Sequence, residues 1–314
     1  MRVKPDELEP PRVGVKPRDG LLVFVAIAFG LAWLIWLPLW IDPRHLAAPW
    51  ARWLMAAGML APACGTLAAT RVVERPADIV AATGLRLRPA ATVLPWIAAA
   101  WVVTPLLVLG ALALGAALGV APLDFRGAPG LRHALEASPA GVRALAKLSA
   151  GRLLAVQVAA ACVIGPLVNA PVVFGEEWGW RGYLVPRLAR HGHATALIGS
   201  GVVWGLWHAP LIVLGHNYPG HPFVGPLMMV AFCVAVGSVL GHLRLVSGSV
   251  WPAVVAHGSL NALGPVVLAV IPDGSTWNPL TTGISGLVGL ALLAPLAAWA
   301  LTRGSTRQGH APAA

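Results

Sequence analysis

Residues 21–41 read LLVFVAIAFGLAWLIWLPLWI, an apolar run without a single charged side chain. A bilayer core takes about 20 such residues of helix to cross, so this stretch alone predicts a chain that enters a membrane. Working outward from it, seven more runs of the same kind follow: Leu46–Ala69, Ala91–Val120, Leu153–Phe174, Thr195–Gly215, Leu227–Leu245, Val250–Ile271 and Gly283–Thr302. Arg52 lies near the start of the second, and Pro105 is placed to break the third. Proline and glycine recur in several runs, which transmembrane helices tolerate when neighbours satisfy the freed backbone groups. The expected fold is all-α, a polytopic membrane helical bundle of about eight transmembrane helices.

Composition agrees. Of 314 residues 57% are apolar and 11% charged, against roughly 25% charged in soluble domains. Mean hydropathy is +0.74. Too few polar side chains exist to cover a soluble globule. A net charge of +10 in a soluble protein would suggest nucleic acid, but here Lys and Arg sit between apolar runs and orient the chain instead. With the N-terminus inside, 15 of the 22 basic residues fall on the inner side and 7 on the outer. Both termini are therefore expected in the cytoplasm, and the chain in a bacterial cell membrane. Five of the outer basic residues lie in the 124–152 loop. There Leu131, Leu135, Val142, Leu145 and Leu148 suggest an amphipathic helix on the membrane surface.

Residues 1–20 mix both charge signs with four prolines and are expected to be a disordered tail. They do not look like a signal peptide. Residues 303–314 form a second tail, leaving 21–302 as the membrane domain. Cys64, Cys162 and Cys233 lie in apolar runs without CxxC spacing, as small apolar core residues would.

Ionisable groups at membrane depth are costly and mark function. Ten of the 12 acids lie in tails or loops; the other two, Glu176 and Glu177, directly follow the fourth apolar run. A helix there puts Glu177 and Arg181 one turn apart, where carboxylate and guanidinium pair, and turns Glu176 elsewhere. His208 interrupts the fifth run, four residues after Trp204. His257 and Asn261 lie one turn apart in the seventh. Polar groups on three spans face one another or a wet cavity, so one shared site is the economical arrangement. The remaining tryptophans suit interface anchors. His191, His193, His216, His221 and His242 read as solvated loop residues.

The three clusters resemble the CPBP family of intramembrane proteases, which takes in the type II CaaX prenyl endopeptidases and the bacteriocin-processing Abi proteins. Its E-E-x-x-x-R motif is matched by Glu176, Glu177 and Arg181, and its H-x-x-x-[ND] motif by His257 and Asn261. Its F-x-x-x-H motif is matched at His208, with Trp204 in place of Phe. Arg181 to His208 is 27 residues and His208 to His257 is 49. The resemblance covers 175–265. It implies an endopeptidase cutting a peptide or membrane-protein substrate at the bilayer, with no nucleic-acid partner. In that scheme Glu176 and His208 activate water and His257 and Asn261 hold the oxyanion, while Glu177 and Arg181 brace the first helix. A zinc ion held by Glu176, His208 and His257 is the alternative, though no H-E-x-x-H is present and the metal-free reading is preferred. The rivals are a transporter or proton relay, and a non-catalytic immunity-type membrane protein.

Overall fold

The computed structural model describes residues 17–87, 89–272 and 277–303. The two expected tails lie outside these residues, save Arg303 and Pro17–Gly20, which form the first turn of α1 (Pro17–Ile41). After α1 come α2 (Ala51–Gly58) and α3 (Ala61–Ala68), which runs on through a π turn at Ala69–Glu74. The short α4 (Ile79–Ala82) leads into the long α5 (Ala90–Ala117). The loop beyond carries α6 (Pro129–Glu136) and α7 (Pro139–Leu145). Next are α8 (Ala150–Val163), α9 (Gly165–Glu177), a π turn over Trp178–Leu184 and α10 (Val185–Leu188). The chain ends with α11 (His193–Trp207), α12 (Ala209–Val213), α13 (Val224–Ser247), α14 (Trp251–Leu263), α15 (Val266–Val270) and α16 (Leu287–Thr302).

The described residues form a polytopic helical bundle, but with fewer uninterrupted spans than the apolar runs suggest. Five stretches are long and apolar enough to cross a bilayer: Asp19–Ile41, Ala51–Glu74, Ala90–Ala117, Val224–Ser247 and Trp251–Val270. A sixth is reached only if α7 and α8, which meet at 108°, count as one broken span. Local breaks account for the difference. The run Leu153–Phe174 is divided at Ile164, where Pro166 opens α9. The run Thr195–Gly215 is divided at His208, where Pro210 opens α12. Proline lacks a backbone N–H, so it is tolerated in the first turn of a helix and ends the one before. The run Gly283–Thr302 is helical only from Leu287. Pro105, in contrast, sits inside the continuous α5.

Apolar side chains cover the outside of the bundle. Leu34, Ile41, Leu106, Val168 and Leu227 are all exposed, as lipid-facing residues should be. The 124–152 loop follows the amphipathic expectation in part. Its α6 and α7 turn Leu131 and Leu145 onto the core, while Val142 in α7 and Leu148 beyond it are exposed. Cys233 is a core residue, but Cys64 is on the exposed face and Cys162 between.

Five tryptophans tie helices and loops together. The indoles of Trp33, Trp36, Trp101, Trp207 and Trp251 each donate to a backbone carbonyl of another helix or loop, at 2.9–3.0 Å. In a bundle without water, such donors supply the polar adhesion between helices.

One end of the bundle gathers the 70–90 loop, the 180s segment and the 244–251 turn. Glu74 accepts from Tyr183 Oη at 2.7 Å and pairs with Arg187. Trp251 reaches the Leu85 carbonyl there. At the opposite end Asp42 is held to Arg44. Hydrogen bonds from the Arg44 side chain and backbone pull the Asp42 carboxyl down to about 2, so the turn after α1 stays charged and closed.

Candidate active site

The site begins where α9 gives way to the π turn. Such single-turn insertions recur at functional sites; this one carries Trp178 to Leu184. Glu176 and Glu177, at the end of α9, expose 1% and 0% of their surface. Arg181 Nη1 donates to Glu177 Oε1 at 2.7 Å, the pair expected from the one-turn spacing. Glu176 faces elsewhere, as expected. Its Oε2 accepts from Trp204 Nε1 at 2.6 Å and from Trp180 Nε1 at 3.3 Å.

The second contribution comes from the break between α11 and α12. Because the helix ends at His208, the imidazole sits at a junction instead of within a packed turn. His208 is half-buried, and its Nδ1 faces the Trp204 carbonyl at 2.9 Å. A carbonyl only accepts, so Nδ1 carries the proton and Nε2 keeps a lone pair.

The third contribution is α14. Its His257 is buried and puts Nδ1 2.8 Å from Glu177 Oε1, the oxygen that also takes Arg181. Asn261 lies one turn further along and is exposed. Trp204 joins the three parts. Its ring lies 5.4 Å from His257 and 5.7 Å from His208, and the Arg181 guanidinium stacks over it at 4.1 Å. The sequence motifs from three helices thus converge on one indole.

One contact narrows an expected role. His257 was assigned beside Asn261 as an oxyanion donor; its Nδ1 is instead committed to Glu177, leaving only Nε2 for that task. Zinc ligation by Glu176, His208 and His257 is the alternative to the metal-free reading. Among the described residues no three His, Cys, Asp or Glu side chains are grouped to hold a metal ion, and Glu176 Oε2 is occupied by indole N–H groups. Among the other histidines, His242 is buried against Trp299 and His193 rather than solvated. His193 reaches the Ala300 carbonyl.

Trp180 and the Glu74–Tyr183–Arg187 cluster were not singled out from sequence. Trp180 is four residues from Glu176, a same-face spacing that could have flagged it. Glu74 is 113 residues from Arg187, and no local pattern announces that contact.

Residues 152–263 match the family model described as type II CAAX prenyl endopeptidase Rce1-like. The motif-bearing part of the bundle is therefore what this chain shares with that family. That match runs from α8 to the end of α14 and contains all six motif residues. The chain is also similar to a "CAAX prenyl protease 2" from Methanococcus maripaludis, with 30% identity over 124 residues. The shared stretch covers 38% of this chain and 44% of that relative, so the chain spans less than half the length of the curated relative it matches. The Rce1-like match and the apolar helices together make this an integral membrane protein.

Proposed function

We propose that the chain is an intramembrane endopeptidase that hydrolyses a peptide bond at the bilayer. The observation that carries this reading is the convergence of Glu176 and His208 on Trp204, whose indole donates to Glu176 Oε2 and whose ring lies 5.7 Å from that of His208. Glu176 is a buried carboxylate with Oε2 fixed by indoles and Oε1 left for another partner. His208, against the ring of the same indole, offers a lone pair on Nε2. Together they form a base able to take the proton of a water molecule as its oxygen attacks the substrate carbonyl. The oxyanion then accepts hydrogen bonds from Asn261 Nδ2 and from His257 Nε2, which must carry a proton to donate. Glu177 stabilises that doubly protonated ring through Nδ1. Collapse of the tetrahedral intermediate breaks the C–N bond, and the proton held by Glu176 passes to the departing amine. Arg181 and Glu177 hold the π turn so that Glu176 keeps its aim.

The chemistry is assigned here to side chains and not to zinc. The names of the similar proteins make a prenylated carboxyl-terminal peptide the first substrate to test, and the lipid bilayer the setting in which its tail is delivered.

The test uses the purified chain in detergent and in sealed vesicles. Cleavage of a farnesylated peptide in detergent, with one solvent oxygen in the new carboxylate, is the expected result. Uptake of labelled solute into vesicles without any peptide cleavage favours the transporter reading. Finding neither activity overturns the proposal for this substrate class.

A further inference from the structure

Arg244 lies in the last turn of α13, away from the residues that converge on Trp204. It exposes only 8% of its surface, and its Nε is buried without a hydrogen-bond partner. None of the ion pairs among the described residues includes it. A buried guanidinium normally finds a carboxylate or several carbonyls, because an unpaired charge at low dielectric is strongly unfavourable.

Its surroundings sharpen the deficit. Arg187 lies close enough to repel it. The nearby carboxylate, Glu74, is already taken by Arg187 and Tyr183, and Asp78 pairs with Arg86. The loop at Gly84 presses against the guanidinium. A Cβ at Gly84 would stand 2.6 Å from Arg244 Cζ, and φ there is +70°, so only glycine fits. A second unspent donor flanks the same turn. Trp178 Nε1 is buried without a partner, and its ring edge and the Thr83 carbonyl both lie 2.9 Å from where a Cβ on Gly182 would stand. Two orphaned donors and an excess of positive charge thus surround Thr83 and Gly84, at the end of the bundle that gathers the basic loops.

We propose that this turn binds a phosphate-bearing anion, with Arg244 as its anchor and Trp178 as a supporting donor. A guanidinium presents two parallel N–H groups that match two phosphate oxygens. The position near the end of α13 suits the headgroup of an anionic lipid, whose leaflet attracts basic groups; inorganic phosphate offers the same chemistry. The site does not depend on the peptidase reading.

The experiment follows thermal unfolding of the full chain in a neutral detergent. Three additions are compared: phosphatidylglycerol, diacylglycerol (the same tails without phosphate) and inorganic phosphate. At about a hundredfold excess over its dissociation constant, phosphatidylglycerol should raise the unfolding midpoint by about 5 °C or more, and diacylglycerol should not. A matching rise with inorganic phosphate alone identifies the anion as soluble phosphate; no rise with it identifies the lipid headgroup. Arg244→Gln should abolish the response and, without anion, be no less stable than the parent, since it removes an unpaired charge. Arg86→Gln should respond like the parent. Equal stabilisation by diacylglycerol, or none by either phosphate source, overturns the proposal without reference to any variant. So does an Arg244→Gln protein that still responds fully, or one markedly less stable without anion.

Discussion

Glu177 Oε1 accepts from both Arg181 and His257, which makes these three side chains one electrostatic unit at almost no solvent exposure. Removing one member strands the others at low dielectric, and breaking such a buried pair costs about 3–5 kcal/mol. Glu177→Ala and Arg181→Ala should therefore lower the unfolding midpoint as well as activity; a midpoint unchanged from the parent would show the pair to be dispensable. Trp204 makes a narrower prediction. Trp204→Phe keeps the aromatic ring but deletes the N–H that reaches Glu176 at 2.6 Å. A hydrogen bond to a charged group contributes about 1.5–3 kcal/mol to stability, so the unfolding midpoint should fall, and turnover should drop at least ~10-fold as Glu176 loses the donor that aims it. Full turnover in Trp204→Phe would remove the indole from the site. At this scale most of the site was legible, because charged and imidazole groups are so rare in the apolar runs that each stands out. The indole donors were less so, since tryptophan is ordinary at membrane depth and only its partner reveals its role.

At the scale of elements, α11 and α13 approach through glycine. A Cβ on Gly201 or Gly205 would lie 2.6 Å from the Cα of Val234 or Val230, backbone atoms that cannot swing aside. Gly205→Ala should force the helices apart and cost about 1–3 kcal/mol, read as a lowered unfolding midpoint in detergent. A variant as stable as the parent would mean that the two backbones are not in contact. Hydropathy revealed the runs but not their continuity, because it reports what a segment is buried in and not whether its hydrogen bonds are unbroken. Pro166 and Pro210 end one helix and start another, whereas Pro105 is absorbed by α5; the residue alone does not distinguish these outcomes. The π turn after Glu177 was likewise hidden, since inserting it left the Glu177–Arg181 contact intact.

At the scale of the molecule, the 70–90 loop, Arg187 and Arg244 share one end, and the expectation from the basic residues is that this end faces the cytoplasm. Cysteines introduced at positions 10 and 308 should react with a membrane-impermeant reagent only after the membrane is opened; labelling of either in intact cells would reverse the orientation. The tails themselves lie outside the described residues, but the bundle they flank brings the half-buried His208 imidazole and the buried Glu176 carboxylate to one indole. The central claim is that this carboxylate performs the hydrolysis, and Glu176→Gln tests it most directly. The substitution keeps the shape and an acceptor for the Trp204 N–H while removing the base. Turnover of the farnesylated peptide should fall by at least ~10³-fold, about 4 kcal/mol, with the unfolding midpoint at or above that of the parent, because a buried charge has been removed. A Glu176→Gln protein that folds and keeps more than about a tenth of parental turnover, a loss under ~1.4 kcal/mol, would contradict the account.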